Sequence, residues 1–144
     1  MPRRSQAKLL ELLKTVPLLH GLSKRELKTV LQAAEDVEHP AGEAIVREGA
    51  TGAGFHLIVE GEASVSIGGK VLGKRLRPGD YFGEMALIDK GPRSATVSTV
   101  TPVRTLVISA WTFNPLLEQF PSIARKLLIE MTKRLRAAED SLTH

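Results

Sequence analysis

The sequence contains no cysteine and only six aromatic residues: four Phe, one Trp and one Tyr. Without cysteine there are no disulfides and no thiolate metal sites, which fits a reducing compartment. With so few rings, and no Lys/Arg block interleaved with them, the chain lacks the stacking platform on which single-stranded nucleic acid lies. No apolar run approaches the roughly 20 residues that a membrane-spanning helix needs. The first residues, MPRRSQAKLLELLKTV, have the basic start of an export signal. Glu11 and Lys14 interrupt the apolar run, however, and no small-residue cleavage site follows. The expected location is the cytoplasm, with no membrane contact.

Charge of one sign is also scarce. Twenty Lys and Arg against sixteen Asp and Glu leave +4, with Arg3, Arg4 and Lys8 among the excess near the start. That is a solvated surface rather than a polyanion-binding face, and direct contact with nucleic acid is not expected. The four histidines, His20, His39, His56 and His144, are scattered. A metal-dependent enzyme on a β scaffold needs His and carboxylate ligands that converge. No cofactor, metal or catalytic residue is therefore expected, and His56 reads as a packed or half-exposed strand residue.

What is present is an ordinary globular composition, 42% hydrophobic and 25% charged over 144 residues. That length makes one domain, residues 1–144. Leu9, Leu10, Leu12, Leu13 and Val16 recur with helical period up to Pro17. A second helix follows, for which Ser23 is the cap, Glu26 closes a capping box and Leu22 with Leu27 forms the staple. These helices occupy residues 6–34. After His39-Pro40 the pattern alternates instead, in AGEAIVREG, GFHLIVEGEASVSI, KVLGKRL and SATVSTVTPVRTLVIS, punctuated by glycines. Gly68-Gly69 predicts a hairpin turn, and Arg77-Pro78-Gly79-Asp80 a type II turn. Short strands with close turn signals define a mainly β core, about residues 36–110, closed as a sandwich or barrel. Helical period returns over residues 111–142.

Residues 82–97, FGEMALIDKGPRSATV, set one carboxylate and one guanidinium among small and apolar side chains. The run EMALI is long enough for one or two helical turns, whose N-terminal amides suit a phosphate. Gly83 lets a ligand approach the backbone. Arg93 offers a planar fork for phosphate oxygens, with the Ser94 hydroxyl and the Ala95 amide beside it. Glu84 would repel phosphate, so its natural partner is a sugar hydroxyl. An anion beside a ribose describes a nucleotide. The alternative is a Glu84–Arg93 ion pair that ties a loop to the β core.

The run PGDYFGEMALIDKGPRSATV closely resembles the phosphate-binding cassette of the cyclic nucleotide-binding domain family. VPLLHGLS, AGEAIVREGATGAGFHLIVEGEASVSI and the closing helix extend the resemblance over nearly the whole chain. It implies an antiparallel β-roll, a jelly-roll or double-stranded β-helix, with flanking N- and C-terminal helices, that binds cAMP or cGMP without catalysis. On that resemblance Glu84 takes the ribose 2′-hydroxyl and Arg93 the cyclic phosphate. Gly83, Met85 and Ala86 supply backbone groups, while Ser94 and Ala95 complete the cradle. Phe82, Val71, Leu72 and Val97 line the apolar part. Arg134 is the candidate lid over the base, with an exposed helix cation as its alternative. Ser94 accompanies either base in the family, and cAMP is favoured. Ala50 departs from the family's frequent acid at that turn.

In the last helix, Ala124, Leu128, Met131, Leu135, Ala138 and Leu142 form a heptad seam. The seam is expected to pack on the domain's own β-roll. The alternative is a homodimer through residues 122–142, as in the transcription regulators of this family. A ligand-driven switch is expected, with the hinge after Trp111 and the last helix closing over the base. The output partner would be an effector protein or a second copy. Alternatives are the sensor half of a dimeric transcription regulator or other multidomain protein, and a non-binding relative that contacts protein.

Overall fold

The computed structural model describes residues 6–50, 54–83 and 92–143. They gather into two compact units, one from Ala33–Asn114 and one from the flanking segments Met1–Gln32 and Pro115–His144.

The first unit is the β-roll. Its strands are β1 (Glu35–His39), β2 (Ala44–Val46), β3 (Gly54–Glu60), β4 (Ala63–Ile67), β5 (Lys70–Val71), β6 (Tyr81–Phe82), β7 (Thr96–Thr99) and β8 (Val103–Ser109). Two four-stranded sheets result, ordered β1-β8-β3-β6 and β2-β7-β4-β5, with antiparallel neighbours throughout. This is the mainly β roll with flanking helices that the alternation and the resemblance imply. Ile58, Ala63, Val97 and Val103 are buried at the roll's centre, with Ile45, Val46, Val65, Leu76 and Phe82 packed on them.

The turns follow their local chemistry. Gly68 and Gly69 both have positive φ, 60° and 78°, and return the chain from β4 to β5 with Ile67 opposite Lys70. At Arg77–Asp80 the Asp80 N–H donates to the Arg77 carbonyl at 2.8 Å. Gly79 takes φ 94°, which a type II turn requires at its third residue. Gly61, at φ 93°, breaks the run GFHLIVEGEASVSI into β3 and β4.

β1 is an element that the alternation did not reveal. Its sequence, EDVEH, is rich in acids that disfavour strands. Pairing decides it. Glu38 lies opposite Arg104 of β8, and Arg104 is buried against Asp36 and Glu38 as ion partners.

The flanking unit contains α1 (Gln6–Lys14), a 3-10 turn at Pro17–Leu19, α2 (Lys24–Gln32) and α4 (Pro121–Thr143); α3 (Ala110–Gln119) runs from the roll into it. The capping box of α2 is formed as expected. The Ser23 N–H donates to Glu26 Oε1 at 2.8 Å, and the Glu26 N–H donates to Ser23 Oγ at 3.2 Å. Leu22 and Leu27 are both buried beside it. Glu26 also accepts from Lys126 Nζ at 2.5 Å and Ser122 Oγ at 2.6 Å, which fixes α4 to α2.

The seam of α4 is only partly covered. Ile123 and Leu127 are the buried positions, whereas Leu128, Leu135 and Leu142 remain 67%, 60% and 87% exposed. The three leucines among the six heptad positions are thus exposed. The inward face is the neighbouring one, a rotation of about one residue. Among the described residues no helix is long and apolar enough to cross a membrane.

Candidate anion site in the roll

The site is built around Arg93, three residues ahead of β7. Its backbone is held on both sides by the Arg47–Ala50 turn. Gly49 N–H donates to the Arg93 carbonyl at 2.8 Å, and Arg93 N–H donates to the Ala50 carbonyl at 3.0 Å. The turn that carries Ala50 therefore sets the position of the arginine. Its side chain crosses to β3, where Nη2 donates to the Gly54 carbonyl at 2.8 Å.

That carbonyl is a neutral partner. Among the described residues no carboxylate lies within ion-pair distance of Arg93, and its Nε is buried without an acceptor. Burial lowers its pKa, yet a guanidinium stays charged under any ordinary condition. A half-buried cation with no carboxylate partner among the described residues is a candidate to hold an anion.

Beside it opens a cavity of about 540 Å³, whose wall includes Ile45, Gly54, His56, Arg93, Val107 and Trp111. Pockets of a few hundred cubic ångströms hold small organic ligands. His56 lies opposite both Phe82 and Val107 in the strand register. Its ring stacks on Phe82, with centroids 4.8 Å apart and planes 6° from parallel. Its Nδ1 is sealed from solvent with no hydrogen-bond partner. Burial first, then the charge of Arg93 and the proximity of His39, push its pKa down to about 4.

The sequence-predicted site residues fall into three groups. Arg93 lines the cavity, with exposed Ser94 and half-buried Ala95 directly after it. Gly83, at φ 82°, packs against the guanidinium, and Phe82 precedes it on β6. Glu84, Met85 and Ala86 lie outside the described residues. Val97 is buried in the roll's centre, Val71 and Leu72 are 67% and 44% exposed by the β4–β5 hairpin, and none of the three belongs to the cavity's described wall. Arg134 is a half-buried residue of α4, in the flanking unit. Sequence reasoning missed Gly54 and undervalued His56. Neither carries a local signal, because strand pairing brings them to Arg93. Among the described residues no three His, Asp or Glu side chains gather into a metal-holding group.

An antiparallel roll with a half-buried arginine in the wall of a cavity of about 540 Å³ is the class of architecture that results. The chain belongs to the cyclic nucleotide-binding domain family, whose profile matches residues 36–120. It is similar to the cAMP-dependent protein kinase regulatory subunit of Schizosaccharomyces pombe, 41% identical over 106 residues, which are 74% of this chain and 26% of that protein. It thus spans about a quarter of the length of the curated relatives it matches. Among solved structures, the N-terminal domain of a transcriptional regulator from Streptomyces coelicolor superposes with TM-score 0.85 at 26% identity, covering 91% of this chain and 94% of that one. The regulatory domain of Toxoplasma gondii PKA, crystallised with cAMP, gives 0.69 at 30% identity, over 78% of this chain and 46% of that one.

Proposed function

We propose that the chain is a non-catalytic sensor that binds a 3′,5′-cyclic nucleotide, cAMP ahead of cGMP, and passes the binding event to an effector. The observation that carries this reading is Arg93, a half-buried residue with an enclosed Nε, whose described partner is one neutral carbonyl. A cyclic phosphodiester supplies the missing anion. In this reading Arg93 grips the phosphate, with Ser94 and Ala95 completing the cradle. Glu84 takes the ribose 2′-hydroxyl, and Gly83, Met85 and Ala86 contribute backbone groups. Phe82, Val71, Leu72 and Val97 give the apolar surroundings, and Arg134 caps the base. The preference for cAMP is supported by the relatives whose names specify that nucleotide.

The switch is closure of the C-terminal helix over the ligand. The boundary between the two compact units supports it, because it falls inside α3 between Asn114 and Pro115. Proline has no N–H to donate, so the helix is one hydrogen bond short at that point. A ligand moves such an equilibrium only by its differential affinity for the closed state.

Calorimetry with cAMP, cGMP and 5′-AMP on the wild type and on Arg93→Ala tests the reading. Binding of the cyclic nucleotides, cAMP tightest, is expected. The substitution should weaken it at least a hundredfold, about 3 kcal/mol, through two lost charge-assisted bonds. Equal heats for all three nucleotides, or no loss in the variant, would reject the site. A second reading, the sensor half of a dimeric regulator, is favoured by the exposed Leu128, Leu135 and Leu142. A concentration-dependent mass that collapses in Leu135→Glu would support it.

A further inference from the structure

We propose that His56 is a second ligand group of the Arg93 anion site, and that it takes up a proton as the anion binds. The proposal rests on the cyclic-nucleotide reading above and assigns a residue that this reading does not use. Three observations place His56 there. It lines the same cavity as Arg93. It is anchored next to Gly54, whose carbonyl holds the guanidinium, and its Nε2 lies 3.8 Å from where a Cβ on Gly54 would stand. Its Nδ1 is a buried polar atom with no partner. Buried polar groups are almost always satisfied, and one that is not needs a reason. A phosphate oxygen held by Arg93 would meet the ring at Nε2, the nitrogen on the Gly54 side, since Nδ1 is enclosed.

The charges around the ring determine the coupling. Arg93 and His39 act on it electrostatically. Glu35 and Arg47 are the other charged residues in the described cavity wall, whereas the paired strands contribute the uncharged Phe82 and Val107. In the free protein the desolvation and the guanidinium keep His56 neutral, with its pKa near 4. An anion seated on Arg93 cancels that repulsion and adds an attraction of its own, so the proton affinity of the ring rises. The parallel Phe82 face accommodates an imidazolium as it does other cations. Linkage then fixes the sign. Wherever the bound form holds more protons than the free form, affinity rises as pH falls, by up to tenfold per pH unit for one proton.

The test is calorimetric titration of the full chain with cAMP between pH 5.5 and 8, in two buffers of different ionisation enthalpy. Wild type should take up a fraction of a proton that grows as pH falls, and its affinity should rise roughly tenfold from pH 7.5 to 5.5. His56→Phe keeps the stack on Phe82 and removes both nitrogens. It should bind more weakly at low pH and show a flat profile. Zero proton uptake in wild type, or the same slope in the variant, overturns the proposal. If His56→Phe does not fold, an NMR titration of His56 in the wild type decides, and a pKa no higher with cAMP than without it overturns the idea. Absence of cAMP binding at every pH would instead remove the cyclic-nucleotide reading.

Discussion

Gly83 and Arg93 are fitted to one another. Gly83 takes φ 82°, and a Cβ at that position would stand 2.5 Å from the Gly54 carbonyl oxygen and collide with the Arg93 guanidinium. The glycine therefore does more than permit a turn. Its missing side chain is the space in which the arginine reaches β3, so backbone conformation and the charge of the site depend on the same residue.

The substitution Gly83→Ala is expected to cost both. Forcing an L side chain into positive φ costs about 1–3 kcal/mol, and the displaced Arg93 loses its carbonyl anchor. Denaturant melts should show a moderate loss of stability, and cAMP titration a much larger loss of affinity. Unchanged affinity in a folded variant would separate Gly83 from the site.

Glu26 makes the flanking unit acid-sensitive. Hydrogen bonds from Lys126, from Ser122 and within the capping box hold its carboxyl down, from 4.5 to about 2. A depressed carboxylate stabilises the fold fully above its ordinary pKa, and that contribution fades as pH falls from about 4.5 toward 2. Glu26→Gln should lower the melting temperature at pH 7, with an effect of about 1–2 kcal/mol from the cap and one charged bond. At pH 2 the difference between variant and wild type should nearly vanish.

Thr99 joins the start of β2 to β7. Its buried hydroxyl donates to the Pro40 carbonyl at 2.6 Å and accepts from the Glu43 N–H at 2.9 Å. Thr99→Val keeps the shape and leaves both backbone groups without that partner. A loss of about 1–3 kcal/mol is expected in urea unfolding, against almost none for Thr132→Val on exposed α4.

Trp111 is the sole tryptophan, 74% exposed and part of the cavity wall. Its emission is expected to shift or quench when cAMP binds. The change should saturate with the affinity measured by calorimetry and be absent in Arg93→Ala at the same ligand concentration. A silent tryptophan under saturating ligand would place the nucleotide away from this cavity.

Much of the frame is local chemistry and was legible from residue order. Ser23 and Glu26 specify a helix start because each satisfies a backbone donor of the other. Gly68-Gly69 and Pro78-Gly79 specify reversals because the former pair and Gly79 reach positive φ at little cost. Arg93 stood out because it is a guanidinium among small and apolar residues. The seam of α4 shows the limit of such reading. Periodicity identifies a stripe and not what covers it.

The order of residues alone determined the helices at both ends and the turns between the strands, and it singled out Arg93 as a candidate, since each depends on neighbours within a few positions. Tertiary structure decided the rest. EDVEH became a strand because β8 pairs with it, Gly54 became the arginine's anchor because β3 passes beside it, and His56 entered the cavity because the register sets it against Phe82. Those partners are separated by tens of residues, and only the closing of the roll selects which of them meet.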